Sequence, residues 1–181
     1  MKKYVFFKLL LILSLLGCKT GINTAQQENK IDYQVINAFV FLRKINVIEK
    51  ETFKPKANDS LLYRLISPNG FELLYYNLNE NQKDIDFKSI FALEDYNSIR
   101  SGFKQSEVME LNKERLLGSV SLVRNLGDKL NARKITLPVI TKDKMYAFMY
   151  SESQSDGDLF CMKKENGKWV PFVVFPLWTS D

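Results

Sequence analysis

The sequence predicts an α+β domain in which an N-terminal helix and several short helices pack on an antiparallel sheet that ends in a C-terminal β-meander. Two observations predict this class. Apolar residues in the segment 32–46 recur at the spacing of an amphipathic helix. The last fifty residues contain four runs of strand-forming residues separated by turn signals. Helices followed by hairpin-linked strands are typical of the α+β class.

The composition is that of one globular domain. The chain has 181 residues, of which 45% are hydrophobic and 26% charged. The formal net charge of +5 falls to about +2 if the segment that carries Lys2, Lys3 and Lys8 is removed. Nucleic-acid binding requires clustered lysine and arginine, so we expect no nucleic-acid partner.

The chain contains no histidine and only two cysteines, Cys18 and Cys161. Histidine is the usual general base near neutral pH and the commonest metal ligand. Its absence removes Ser-His-Asp and Cys-His catalysis and most zinc sites. We therefore expect no metal and no cofactor, and the composition favours a binding protein over an enzyme. Chemistry by a carboxylate pair or by tyrosine stays open.

The N-terminus has the pattern of a secretory signal. A basic segment, Met1 to Lys8, precedes the apolar run Leu9 to Leu16. This run is too short to cross a hydrocarbon core of ~30 Å, which takes roughly 20 residues. An A-x-A cleavage motif is missing at its end, where the sequence reads Leu15-Leu16-Gly17-Cys18.

This tetrapeptide resembles the lipobox of bacterial lipoproteins. The resemblance implies cleavage between Gly17 and Cys18, a diacylglycerol on the Cys18 sulfur and an acyl chain on the new amino terminus. Cys18 is thus the candidate lipid-attachment residue, and two or more acyl chains anchor a protein stably to a bilayer. Lys19, in place of the aspartate that favours inner-membrane retention in this family, points to the outer membrane. The alternative is a plain secretory signal with an incidental cysteine.

Three segments follow from this interpretation. Residues 1–17 form a lipoprotein signal peptide, and residues 18–30 are the lipidated cysteine with a flexible tether. The tether sequence, KTGINTAQQENK, is polar and spans roughly 20 Å root-mean-square. Residues 31–181 form a single α+β globular domain.

The helical predictions begin with the segment 32–46, whose apolar face is widened by Val40, Phe41 and Ile45, so we expect this helix to be well buried. The runs 60–67 and 71–78 flank Pro68-Asn69-Gly70 and are interpreted as a hairpin. A short helix is predicted over Glu94 to Arg100, with Gly102 as its end. Strong helix formers also occur between residues 106 and 130.

Four strands are predicted at the C-terminus, with the sequences KITLPVI, MYAFMYS, GDLFCMKKE and KWVPFVVFPLW. Asn166-Gly167 is a strong signal for a tight hairpin turn. The run MYAFMY is apolar throughout, which predicts a strand covered on both faces. Pro138, Pro171 and Pro176 belong at edges, strand starts or bulges. This tail resembles the closing strands of small uncharacterised bacterial lipoproteins, a likeness that implies no activity.

Two groups of residues are weighed as chemical sites. Cys161 alternates with Phe160 and Met162 in a predicted strand, where a free cysteine behaves as a small buried hydrophobe, the alternative being an intermolecular disulfide. Glu152, Asp156 and Asp158 gather near one loop. Ordinary turn chemistry explains them, and calcium binding is the alternative.

Aromatic residues are frequent in the predicted strands. Most are expected in the core, with a carbohydrate or peptide groove as the alternative, and Trp178 is expected to be the most exposed. The residues concerned are Tyr75, Tyr76, Tyr146, Tyr150, Trp169 and Trp178. The mixed charges of Asp95, Arg100, Lys104 and Glu107 are interpreted as a solvated helix face.

The function expected from the sequence is that of a membrane-anchored lipoprotein of the bacterial cell envelope. Its domain is expected to be a non-catalytic binding domain that contacts a protein or an envelope polymer through one face of the sheet, while the lipid anchor contacts the membrane. One alternative is an envelope hydrolase or ligand-pocket protein that uses a carboxylate pair. Another is an immunity or inhibitor lipoprotein that neutralises a toxin.

Overall fold

A computed structural model describes residues 32–56, 59–73, 75–78, 84–124 and 132–180. The predicted signal peptide, Cys18 and the tether lie outside these ranges. Within them are five α-helices and one 3-10 turn at Lys113–Arg115. The helices are α1 Tyr33–Arg43, α2 Ser60–Leu65, α3 Gly70–Leu73, α4 Phe87–Ile90 and α5 Leu93–Gln105.

The strands of the described ranges form one large sheet and one small one. The strands are β1 Val47–Glu49, β2 Tyr76–Asn77, β3 Ser121–Val123, β4 Lys134–Ile135, β5 Val139–Ile140, β6 Tyr146–Glu152, β7 Asp156–Glu165 and β8 Lys168–Thr179. The six-stranded sheet is antiparallel, with the order β2-β8-β7-β6-β4, and β5 also pairs with β6. β1 and β3 form a separate parallel pair. The α+β class is confirmed.

The C-terminal meander follows the prediction closely. Asn166 and Gly167 have φ values of 49° and 78°, and they join β7 to β8 as a two-residue turn. The register between these strands shifts twice, once beside Pro171 and once beside Pro176, so both prolines stand at bulges. The run predicted as one strand over KITLPVI is instead two short strands, interrupted before Pro138.

Helices cover both faces of the sheet. Leu159 and Cys161 of β7 belong to a core shared with α2 to α5, in which the Phe71 and Phe175 rings stack at 4.3 Å between centroids. Phe160 points to the opposite face and meets Phe39 of α1 at 4.7 Å. The five central residues of β6, 147 to 151, are all buried, as the apolar run up to Tyr150 predicts. Among the described residues, the centre of this sheet is therefore covered by helices on both faces.

The predicted hairpin over residues 60–78 is wrong. Asp59 caps α2 because its carboxylate accepts a hydrogen bond from the Leu62 amide at 3.1 Å. Ser67 then accepts a hydrogen bond from the Gly70 amide at 2.9 Å, and α3 begins there. Among the described residues of this segment, Tyr76–Asn77 forms a strand that pairs with β8.

The end predicted for the last helix is also wrong. α5 runs through Gly102 to Gln105. Gly102 is needed for packing, since a β carbon at this position would lie 2.5 Å from Cγ1 of Val139 on β5.

The helix-forming segment 106–130 contains no α-helix in its described part, residues 106–124. Its backbone bonds instead with the segment around Thr52, through Thr52 N to Met109 O and Leu111 N to Lys50 O, both at 2.8 Å. β3 then pairs with β1. Tertiary hydrogen bonding therefore outweighs helix propensity here. Residues 125–130 lie outside the described ranges.

Candidate functional site

Asp156 and Asp158, two of the three loop acids, take part in a compact charge cluster with Arg43 and Arg133. Arg133 Nη1 donates to both carboxylate oxygens of Asp156, at 2.8 and 3.1 Å. Arg43 Nη2 lies 3.2 Å from Asp158 Oδ2 and 3.5 Å from Asp156 Oδ2. The second Arg133 terminal nitrogen lies 3.6 Å from Asp158 Oδ2. These four residues are called the charge cluster below.

Burial dominates the electrostatics of the charge cluster. It raises the pKa of Asp158, against the lowering effect of Arg43 and Arg133. Burial also lowers the pKa of Arg133, and the nearby carboxylate of Asp156 partly opposes this lowering. Both carboxylates are in contact with arginines.

The third loop acid, Glu152, lies apart and accepts a hydrogen bond from the Tyr150 hydroxyl at 3.1 Å. Within the described ranges, no group of three or more His, Cys, Asp or Glu side chains is arranged to hold a metal ion. Cys161 is fully buried, as predicted, and burial raises the pKa of its thiol well above the ordinary value.

An open apolar groove of about 960 Å³ runs along α1. Its walls come from α1 and the turn after it, from the loop 117–120, and from the β7–β8 hairpin at residues 167–171. We call this feature the α1 groove. Its apolar lining includes Ala38, Phe41, Ile45, Leu117, Val120, Trp169 and Pro171.

Hydrogen bonds fix the loop wall of the groove against α1. The Asn37 amide nitrogen donates to Arg115 O at 3.0 Å, and its amide oxygen accepts from Leu117 N at 2.9 Å. The Lys113 ammonium donates to Val120 O at the other end of this loop. The groove is therefore built by the fold and does not need a ligand to form its walls.

The exposed edge of the groove carries two large apolar side chains. Phe41 is 87% exposed and Leu117 is 70% exposed. The expectation that Phe41 would be buried with the rest of α1 is wrong. Val40 and Ile45 are buried, but Phe41 extends past the helix–sheet contact into solvent.

The charged residues that line the α1 groove are both lysines. Lys44 and Lys168 are exposed, and no aspartate or glutamate among the described residues lines the groove. Lys44 also lines a neighbouring polar cavity of about 790 Å³, whose walls include Arg43, Arg133 and Asp156 of the charge cluster. The segment that follows α1 thus separates an apolar groove from a polar cavity.

Lys44 has an uncommon backbone conformation. α1 ends in a Schellman motif, with Ile45 N bonded to Val40 O at 3.1 Å and Lys44 N bonded to Phe41 O at 3.3 Å. This motif places Lys44 in the left-handed region, with φ of 51°, where glycine is the usual residue. The side chain of a non-glycine residue is therefore held at the mouth of the groove at some conformational cost.

The aromatic residues of the strands are mainly structural. Trp178 is only half-exposed, contrary to expectation, because its indole packs over Gly157 and donates to the Tyr150 hydroxyl at 3.2 Å. Tyr76 is the most exposed of these aromatic residues, at 61%.

Two residues of the mixed-charge segment have partners in the structure. Asp95 accepts a hydrogen bond from the Ala92 amide at 2.9 Å, and the Lys104 ammonium lies over the Tyr63 ring.

Known proteins give no further indication of the site. No protein-family model matches the chain, and neither the curated proteins nor the solved structures contain a significant match. Among the residues described, no helix has the length and apolar character that spanning a bilayer requires.

Proposed function

We propose that this protein is a membrane-anchored lipoprotein of the bacterial cell envelope, acylated on Cys18, whose domain is a non-catalytic binding domain that uses the α1 groove. The lipobox-like sequence Leu15-Leu16-Gly17-Cys18 supports the anchor, and Lys19 favours the outer membrane as its location. The domain would be held near the lipid by the tether at residues 18–30.

The observation that carries the binding role is the contrast between the α1 groove and the charge cluster. The groove is open and apolar, with exposed Phe41 and Leu117 at its edge. Large exposed apolar patches mark interaction sites. Asp156 and Asp158, the acids of the charge cluster, already contact arginines. This arrangement favours binding over carboxylate catalysis.

Acylation is tested by growing a bacterial host that expresses the chain with an alkyne-labelled fatty acid. The wild type should incorporate the label and sediment with membranes. Cys18→Ala should lose the label and stay unprocessed. Cys161→Ala is the matched control, because it removes the other cysteine and should keep both label and processing. An unlabelled wild type, or a labelled Cys18→Ala variant, contradicts the proposal.

A further inference from the structure

We propose that the α1 groove binds an anionic membrane lipid. Its acyl chain would lie against Ala38, Phe41 and Leu117. Its headgroup would contact Lys44 and Lys168. The proposal rests on the membrane attachment proposed above, which supplies the ligand, but it concerns a second contact that does not use Cys18.

The lining of the groove matches an acyl chain better than a polar polymer. Its volume of about 960 Å³ is at the upper end of the size range for small-ligand cavities. Both ends of the Asn37 amide are already bonded to the backbone of Arg115 and Leu117, so this side chain offers little to a sugar or peptide. An acyl chain requires only apolar contact, which Phe41 and Leu117 provide.

The charges of the groove select an anionic headgroup. Lys44 and Lys168 are both exposed and line the groove, while its described lining contains no acid. Lysines close to an anionic bilayer surface are attracted to it, and each contributes about a five-fold gain in partition. A zwitterionic lipid would not provide this attraction.

The location of α1 in the chain also favours the membrane as the partner. α1 begins at Tyr33, shortly after Cys18 in the sequence. With Cys18 acylated as proposed above, the short length of chain between these two residues would limit how far α1 can lie from the membrane surface.

Because Lys44 has a positive φ, replacing it with glycine can distinguish a ligand-binding role of its side chain from a structural role. Glycine suits a left-handed position better than lysine, so Lys44→Gly should leave the fold as stable or more stable. If Lys44 contacts a headgroup, the same substitution should weaken lipid binding. Lys144 is the matched control: its φ is 60°, its side chain is exposed, and it lies in the turn before β6, away from the groove lining.

The test uses the processed chain, residues 18–181, with Cys18→Ser so that no lipid is attached, and with folding checked by near-UV circular dichroism. The measurement is co-sedimentation with 100 nm vesicles of phosphatidylcholine, with or without about one-third phosphatidylglycerol. Binding should require phosphatidylglycerol. Lys44→Gly should weaken it about five-fold without lowering the urea midpoint, while Lys144→Gly should leave it unchanged.

The apolar part of the site is tested in the same assay. Phe41→Ser should reduce binding at least ten-fold, whereas Leu93→Ser, at another exposed apolar residue, should not. In a Trp178→Phe background, phosphatidylglycerol with brominated acyl chains should quench Trp169, which lines the groove.

Three results would overturn the proposal: no binding to either vesicle, equal binding to both, or equal losses for Lys44→Gly and Lys144→Gly. These results are independent of acylation. An unacylated Cys18 in the host would contradict the anchor without changing the vesicle assay, and failure of the vesicle assay would leave the anchor intact.

Discussion

Arg133 and Asp156 form a largely buried ion pair in which one guanidinium nitrogen lies 2.8 and 3.1 Å from the two carboxylate oxygens. The Arg133 side chain is only 9% exposed, and its Nε also donates to Ser151 Oγ at 2.8 Å. Arg43 extends the cluster from α1 and stacks over the Phe160 ring. The charge cluster therefore connects the end of α1 to β7 and to Arg133, the residue before β4.

Removing Arg133 should destabilise the fold strongly. Arg133→Gln would remove one of the two positive charges that face the buried carboxylate of Asp158. We expect this to lower the free energy of unfolding by about 3 kcal/mol. Urea denaturation measures this. Lys88→Gln, which breaks the exposed pair with Glu72, is the control and should cost less than about 1 kcal/mol. A loss for Arg133→Gln as small as that of the control would show that the cluster is not structural.

Gly102→Ala should also destabilise the protein, although alanine is the better helix former by about 1 kcal/mol. The added methyl group would overlap Val139, and overpacking of this kind costs about 1–3 kcal/mol. Adding Val139→Ala removes the two γ carbons that lie within 3.0 Å and leaves the β carbon at 3.3 Å, so Gly102→Ala should cost much less in that background. Urea midpoints of the four proteins in this cycle test the argument, and an additive result would contradict it.

Tyr96 should make the fold sensitive to alkali. Its side chain is 1% exposed, and burial raises its pKa from 10.0 to about 12. Between these values the unfolded chain loses this proton while the folded chain keeps it, so stability falls as the pH rises. We expect a contribution of roughly 1 kcal/mol per pH unit above pH 10. Urea unfolding at pH 9, 10 and 11 should show a shallower decline for Tyr96→Phe, and equal slopes would contradict this.

Cys161 should not react until the protein unfolds. Its side chain is fully buried on β7 and burial raises the pKa of its thiol, so the reactive thiolate is scarce. In the Cys18→Ser chain, a thiol reagent should react only at urea concentrations within the unfolding transition. Rapid reaction in native buffer, or a disulfide-linked dimer on a non-reducing gel, would contradict the buried position.

Strands could be predicted from the sequence where an apolar run and its flanking turn residues both indicated a strand. β6, β7 and β8 combine apolar runs with turn residues, and Asn166-Gly167 fixes the register of the last hairpin. The eight-residue runs on either side of Pro68 contain no such consistent signal, because leucine occurs in both helices and strands. The side chains of Asp59 and Ser67 accept hydrogen bonds from backbone amides at the starts of two helices and so stabilise helix over strand here.

The site residues were harder to predict because they depend on distant partners. Arg43 and Asp156 are 113 residues apart in the chain, and no local pattern brings them together. The exposure of Phe41 has the same origin. An apolar stripe shows that a helix packs on one side, but only the arrangement of its neighbours decides which apolar residue is left uncovered.

The proposed attachment of the folded domain to a membrane through Cys18 can be checked by mass spectrometry of the protein purified from the membranes of a bacterial host. We predict an N-terminal peptide that begins at Cys18 and carries a diacylglyceryl thioether with an additional acyl chain. A peptide that begins at Met1, or a chain cleaved nearby without any lipid mass, would contradict the account.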